Sequence, residues 1–189
     1  MQHLVYLHGF LSSPQSVKAQ QTAQYLKKHF PSINLHMPQL PGDINKAVAI
    51  VDALVSKLPT SNLAFIGSSM GGFLASYCIE KYGGKGVLVN PAVEPYHLFE
   101  DYLGAHVNPN TLERFYLTHQ HIDTLKRIDT KVLKDPHRYF IMLQTGDETL
   151  DFRLAANKYR NAKLLIEHGG DHSFVDYQTH LPDIFKFLR

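Results

Sequence analysis

The chain is poor in cysteine, in charge of one sign and in long apolar runs. Cys78 is the only cysteine among 189 residues. No intrachain disulfide can form, which fits a reducing compartment. No stretch approaches the roughly 20 consecutive apolar residues that a membrane helix needs. The opening apolar run stops at Leu7 and follows no basic stretch, so it reads as a strand and not as a signal peptide. Lys and Arg number 19 against 17 Asp and Glu, for a formal net charge of +2. Without a cluster of Lys or Arg, the footprint of a nucleic-acid binder or an anionic-membrane binder is missing. Repeats, low-complexity tracts and linkers are missing too. One domain over residues 1–189, without nucleic-acid or membrane partners, and a cytoplasmic location are the expectations.

What is present is alternation of strands and helices. Residues 3–7, 33–37, 63–66, 86–89, 139–143 and 164–166 are short, β-prone apolar runs bounded by Gly or Pro. Between them lie helical patterns. Ser13-Pro14 reads as a helix start, with the helix running to about His29. Ile44, Val48, Val51, Val55 and Leu58 recur at helical spacing, and Leu181, Ile184, Phe185 and Leu188 share one face of a last helix. Almost wholly apolar strands that alternate with helices predict an α/β fold with a parallel sheet covered on both faces. The alternation breaks at about 91–136. Residues 96–103 and 118–127 read as helices there, which predicts a small helical cap inserted above one end of the sheet.

The informative segment is Gly67-Ser68-Ser69-Met70-Gly71, a Gly-x-Ser-x-Gly pattern with a strand before it and a helix after it. That context predicts a nucleophile elbow, a strained turn that lifts the Ser69 hydroxyl over the sheet. The alternative is a plain glycine-rich turn that binds phosphate. A serine nucleophile needs a base, and in such folds the acid and then the histidine follow it in the chain. His172 lies in the glycine-bearing loop after the last strand, whereas His168 sits at the strand end, so His172 is the candidate base. Asp147 is the first carboxylate after the preceding strand and is the candidate acid. Asp151 is the runner-up, since it can instead cap the next helix. The backbone N–H groups of Met70 and Phe10 are the candidate oxyanion donors. His8 reads as a structural hydrogen bonder. Tyr96, Phe99, Tyr102 and Leu103 are candidates for an acyl pocket, against the simpler view that they pack the cap onto the core.

These segments together resemble the YqiA-like esterases of bacteria, a branch of the α/β-hydrolase superfamily. The resemblance covers nearly the whole chain. It rests on Tyr6-Leu7-His8-Gly9-Phe10 with Ser12-Ser13-Pro14, on Pro38-Gln39-Leu40-Pro41 and on Gly67-Ser68-Ser69-Met70-Gly71-Gly72. It continues through Val89-Asn90-Pro91-Ala92-Val93, Asp101-Tyr102-Leu103-Gly104, Gln144-Thr145-Gly146-Asp147-Glu148 and Gly169-Gly170-Asp171-His172. It implies the α/β-hydrolase fold in a minimal form of six parallel strands, ordered 2-1-3-4-5-6. It also implies a serine, aspartate and histidine at Ser69, Asp147 and His172, and hydrolysis of a small-molecule ester or thioester without a cofactor. The family pattern varies at position 171, so Asp171 is given no role.

Two rival readings remain. The 12 histidines raise metal-dependent hydrolysis, with His119, His121, Glu167, His168, Asp171 and His172 as the available ligand types. No His-Glu-x-x-His helix accompanies them. The other rival is an interaction protein built on a hydrolase fold, because fold alone does not establish activity.

Overall fold

The computed structural model describes residues 1–189. In chain order it runs β1 (His3–Leu7), α1 (Val17–His29), β2 (Asn34–His36), α2 (Ile44–Val55), β3 (Leu63–Ser68), α3 (Met70–Tyr82) and β4 (Lys85–Val89). Next come α4 (Tyr96–Phe99), β5 (Gly104–Val107), β6 (Arg114–Leu117) and α5 (His119–Ile128). The chain closes with β7 (Tyr139–Gln144), α6 (Phe152–Lys158), β8 (Lys163–Glu167) and α7 (Leu181–Leu188).

Six strands form one sheet in the order β2-β1-β3-β4-β7-β8, with every neighbouring pair parallel. With β5 and β6 set aside, this is the order 2-1-3-4-5-6. Parallel neighbours need crossovers, and the helices in those crossovers cover both faces. Side chains therefore alternate between two cores. Val5, Leu7, Phe65, Leu88 and Ile141 pack with α2, α3 and α5, while Leu4, Tyr6, Ile66, Val87 and Phe140 pack with α1 and α7. β3 and β7 are buried along their whole length, which is why they read as unbroken apolar runs.

The helix starts follow local chemistry. The Asp43 carboxylate accepts the Lys46 N–H at 3.1 Å and caps α2. α1 begins at Val17 and not at Ser13-Pro14, which corrects the expected start. The Ser16 N–H donates to the Ser13 carbonyl at 3.1 Å, closing a separate turn whose second residue is Pro14. No helix is long and apolar enough to cross a membrane.

Between β4 and β7 the chain holds helices at both places where the spacing predicts them. The first is short: α4 gives way to a 3-10 turn over Glu100–Tyr102. Between α4 and α5 lies an antiparallel ribbon, β5 with β6, that a reading of the segment as helical did not include. Its strands are four residues each and half exposed, with His106 and Arg114 inside them, so no apolar alternation marks them. Leu117, Ile122, Leu125 and Ile128 bury this segment against the core, and polar and ring contacts add to it. The Phe10 ring lies 4.9 Å from Phe99 and 6.0 Å from Phe115. His121 Nε2 lies 3.3 Å from Asp43 Oδ1. Lys158 and Asp129 pair at 2.9 Å, with only 10% and 1% of their side chains exposed.

That last pair should be the most stability-sensitive charge in the molecule. Lys158→Met leaves the Asp129 carboxylate buried without its cation and should cost about 3 kcal/mol in urea unfolding. Lys46→Met removes an exposed partner of Asp43 and should cost under about 1 kcal/mol in the same measurement.

Candidate active site

Ser69 stands between β3 and α3 at φ 56° and ψ −120°. A non-glycine residue reaches that region only under strain that its surroundings hold in place. Two backbone bonds hold it. Its N–H donates to the Val89 carbonyl at 3.0 Å, and its carbonyl accepts the Ala92 N–H at 3.1 Å. The flanking glycines are required sterically. A Cβ at residue 67 would strike the Gly71 carbonyl, and one at residue 71 would strike the Leu7 carbonyl.

Three side chains from three separate loops meet here. Ser69 Oγ–H donates to His172 Nε2 at 3.0 Å. His172 Nδ1–H donates to the two Asp147 carboxylate oxygens at 2.9 and 2.8 Å. The Nδ1–H tautomer leaves Nε2 free to accept a proton from Ser69. The Asp147 side chain is 2% exposed and that of His172 is 25% exposed. Burial alone would push the Asp147 carboxyl up. Hydrogen bonds from His172 and from the backbone N–H groups of Leu150 and Thr149 outweigh it and hold the group below the usual carboxylate range. Those N–H groups lie 2.8 and 2.9 Å from Asp147 Oδ1. Asp147 is therefore an ionised, fixed acceptor.

Asp151 is elsewhere. It caps α6 through the Arg153 N–H at 3.0 Å and forms an ion pair with the Arg153 guanidinium at 2.7 Å. His168 is exposed. His8 is buried, accepting the Leu40 N–H at Nε2 (2.9 Å) and donating from Nδ1 to the Gly9 carbonyl (2.8 Å). Burial pushes its imidazole down, so it is held neutral.

Two side chains that the sequence reading left without roles position the histidine. Gly169 and Gly170 adopt φ of 80° and 72°, and the chain then turns back past the end of the sheet. There Asn90 Nδ2 donates to the carbonyls of Asp171 and His172 at 3.0 and 3.3 Å, while its Oδ1 accepts the Gln144 N–H at 3.0 Å. Gln144 Nε2 donates to the Val175 carbonyl at 3.0 Å, and its Oε1 accepts the Val175 N–H at 2.8 Å. The available signal was position. Each is a polar residue at the C-terminal end of an otherwise apolar strand, as are His8 and Ser69.

The candidate oxyanion donors flank Ser69. Met70 opens α3, in the first turn, where N–H groups lack an intrahelical acceptor. Phe10 follows Gly9, whose ideal Cβ position lies 3.4 Å from Ser69 Cβ. The Phe10 N–H donates to no backbone carbonyl. A cavity of about 270 Å³ opens beside Ser69 and His172, with Ala92, Leu98, Phe99, Tyr102 and Leu150 in its wall. Of the four residues expected to form an acyl pocket, Phe99 and Tyr102 thus face it. Tyr96 and Leu103 do not. Tyr96 packs into the core and donates from its hydroxyl to Asp129 at 3.3 Å. Leu103 lies past the 3-10 turn and is 37% exposed.

The proposed metal ligands are dispersed, and no three His, Cys, Asp or Glu side chains are arranged to hold a metal ion. His119 is exposed beside Glu100, whereas His121 is turned inward, accepting the Thr118 N–H at 3.0 Å.

Comparison with known proteins agrees with this architecture. The model of a family described as "Uncharacterised protein family (UPF0227)" matches residues 3–189, and the chain belongs to that YqiA-like α/β-hydrolase family. Alpha/beta hydrolase domain-containing protein 10 from mouse is 14% identical, with a TM-score of 0.69, covering 99% of this chain and 90% of its own. Est1E from Butyrivibrio proteoclasticus, with ferulic acid bound, is 13% identical, with a TM-score of 0.69 and coverage of 99% and 88%. Methylketone synthase I from tomato, in complex with β-ketoheptanoate, is 10% identical, with a TM-score of 0.71 and coverage of 98% and 96%. At these identities the likeness shows the α/β-hydrolase fold.

Asn90→Ala should destabilise the protein by about 2 kcal/mol in urea unfolding, because one buried N–H and two carbonyls lose their partner. Amide exchange should accelerate over residues 169–176 before it does in the strands.

Proposed function

We propose that this protein is a serine hydrolase that cleaves carboxylic esters of short- to medium-chain acids through an acyl-enzyme on Ser69. The observation that carries the reading is the unbroken Ser69–His172–Asp147 hydrogen-bond line, with its serine on a strained elbow. Membership in a YqiA-like α/β-hydrolase family supports it.

The chemistry follows from the geometry. As Ser69 Oγ attacks the acyl carbon, His172 Nε2 takes the hydroxyl proton. Asp147 stabilises the imidazolium and keeps its ring in place. The carbonyl oxygen becomes an oxyanion, and the N–H groups of Met70 and Phe10 donate to it. Collapse breaks the bond to the leaving oxygen, which receives the proton from His172 Nε2. Water then gives a proton to His172, attacks the acyl carbon and releases the acid, and the proton returns to Ser69. No cofactor takes part in these steps. A thioester would follow the same course with sulfur as the leaving atom. The cavity between Phe99, Leu98, Tyr102 and Leu150 supplies apolar wall for an acyl chain.

Fluorophosphonate labelling with peptide mapping should place the adduct on Ser69. Ser69→Ala should lower kcat on p-nitrophenyl butyrate by at least about 10⁴-fold while leaving the fold intact; retention of a tenth of the activity would sink the assignment. Asp147→Asn should cripple turnover, and Asp151→Asn should cost only helix stability. If Asp151→Asn is the crippled one, the acid is misassigned.

A further inference from the structure

A second cavity touches Ser69 and His172 from the other side. It has a volume of about 280 Å³, and its wall includes Ser12, Ser16, Lys18, Ser68, Glu148 and Ser173. Of the 12 lining residues only two are hydrophobic. A further cavity of about 410 Å³ shares Ser12, Ser16, Lys18 and Ser173 with it and continues to Gln21 and Gln178. The nucleophile thus stands between an apolar cavity on one side and a long polar one on the other. Lys18 lies where the two polar cavities join.

Lys18 is the sole cation in these walls, and it forms no direct ion pair. The side chain is partly buried, on the second residue of α1. Its ammonium donates to the Ser173 carbonyl at 2.5 Å and to no carboxylate. An ammonium has three donors, and a charge withdrawn from water is costly unless an opposite charge meets it. The nearby acids take their hydrogen bonds from other groups and act on Lys18 only at a distance. Asp147 holds His172, Asp171 Oδ1 accepts the Ser173 hydroxyl, and Glu148 Oε2 accepts the His172 N–H at 3.0 Å. Burial pushes the Lys18 ammonium down to about 8, with Asp171 and Asp147 pulling the other way, so most of it stays charged at neutral pH.

We propose that the substrate's leaving group carries an anion, a carboxylate or a phosphate, and that Lys18 binds it in the polar cavity while the acyl chain occupies the apolar one. This inference rests on Ser69 being the nucleophile. It makes the substrate an ester of an acidic, hydrophilic alcohol or thiol. Lys18 is a specificity residue, since it touches the departing half and not the reacting carbon.

The test is a set of butyrate esters that share one acyl group. The alcohols are ethylene glycol, glycolate, 2-hydroxyethyl phosphate and choline. The wild-type kcat/KM should be at least about tenfold higher for one or both anionic esters than for the glycol ester, as expected of a charge-assisted contact. The choline ester should be poorest. Lys18→Gln should bring the anionic-to-neutral ratio close to one, and Lys18→Arg should keep most of it. The glycolate and phosphate arms show which anion is meant. Three results overturn the proposal: a wild-type ratio near one with Ser69 still labelled by fluorophosphonate, an equal loss on all four esters in Lys18→Gln, or a stronger preference for monomethyl succinate, which carries its anion on the acyl side. A protein that cleaves none of these and leaves Ser69 unlabelled fails the esterase reading itself, and this proposal falls with it.

Discussion

The first turn of α3 lies against the ends of β1 and β3 with no room for a side chain at residue 67 or 71. Much of the site depends on that contact. It goes with the positive φ of Ser69 and sets Met70 at the start of α3. It also brings the loop after β1 beside the serine, so that Gly9 and Phe10 become part of the same surface. The strain at Ser69 is held by Val89, at the end of β4, and Ala92, just beyond it, which bond its N–H and carbonyl. A looser junction would leave the hydroxyl free to rotate away from His172.

The parallel sheet makes this economical in chain length. All six strands deliver their following loops to one end, so Gly9, Ser69, Asn90, Asp147 and His172 converge without any long excursion. Asn90 and Gln144 then convert convergence into registry. Each is a buried amide that ties the histidine loop to a strand end. The acid is treated differently. Its own loop wraps it, supplying two N–H donors within three residues. Fixed donors of that kind keep a carboxylate ionised although it is almost fully buried.

The sheet was legible because its strands are buried on both faces and read as unbroken apolar runs. The elbow was legible because glycine spacing there has one steric cause. Chain order points to Asp147, whose carboxylate meets His172, whereas Asp151 takes Arg153 and caps a helix. Other features left no trace. The β5–β6 ribbon is short and half exposed, so it lacks periodicity. The direction of Tyr96 is set by Asp129, 33 residues away, and no local pattern encodes it. Lys18 looked like any helix-surface lysine, since its surroundings come from loops near residues 12 and 173.

The segment between β4 and β7 packs Leu117, Ile122, Leu125 and Ile128 into the core and is tied there by ring contacts at Phe10 and one buried ion pair. It contributes none of the Ser69–His172–Asp147 line, yet it supplies Phe99 and Tyr102 to the apolar wall. The hydrogen-bonded line and part of the apolar wall thus come from separate stretches of the chain. Substitutions within residues 95–103 can reshape that wall without touching Ser69, His172 or Asp147.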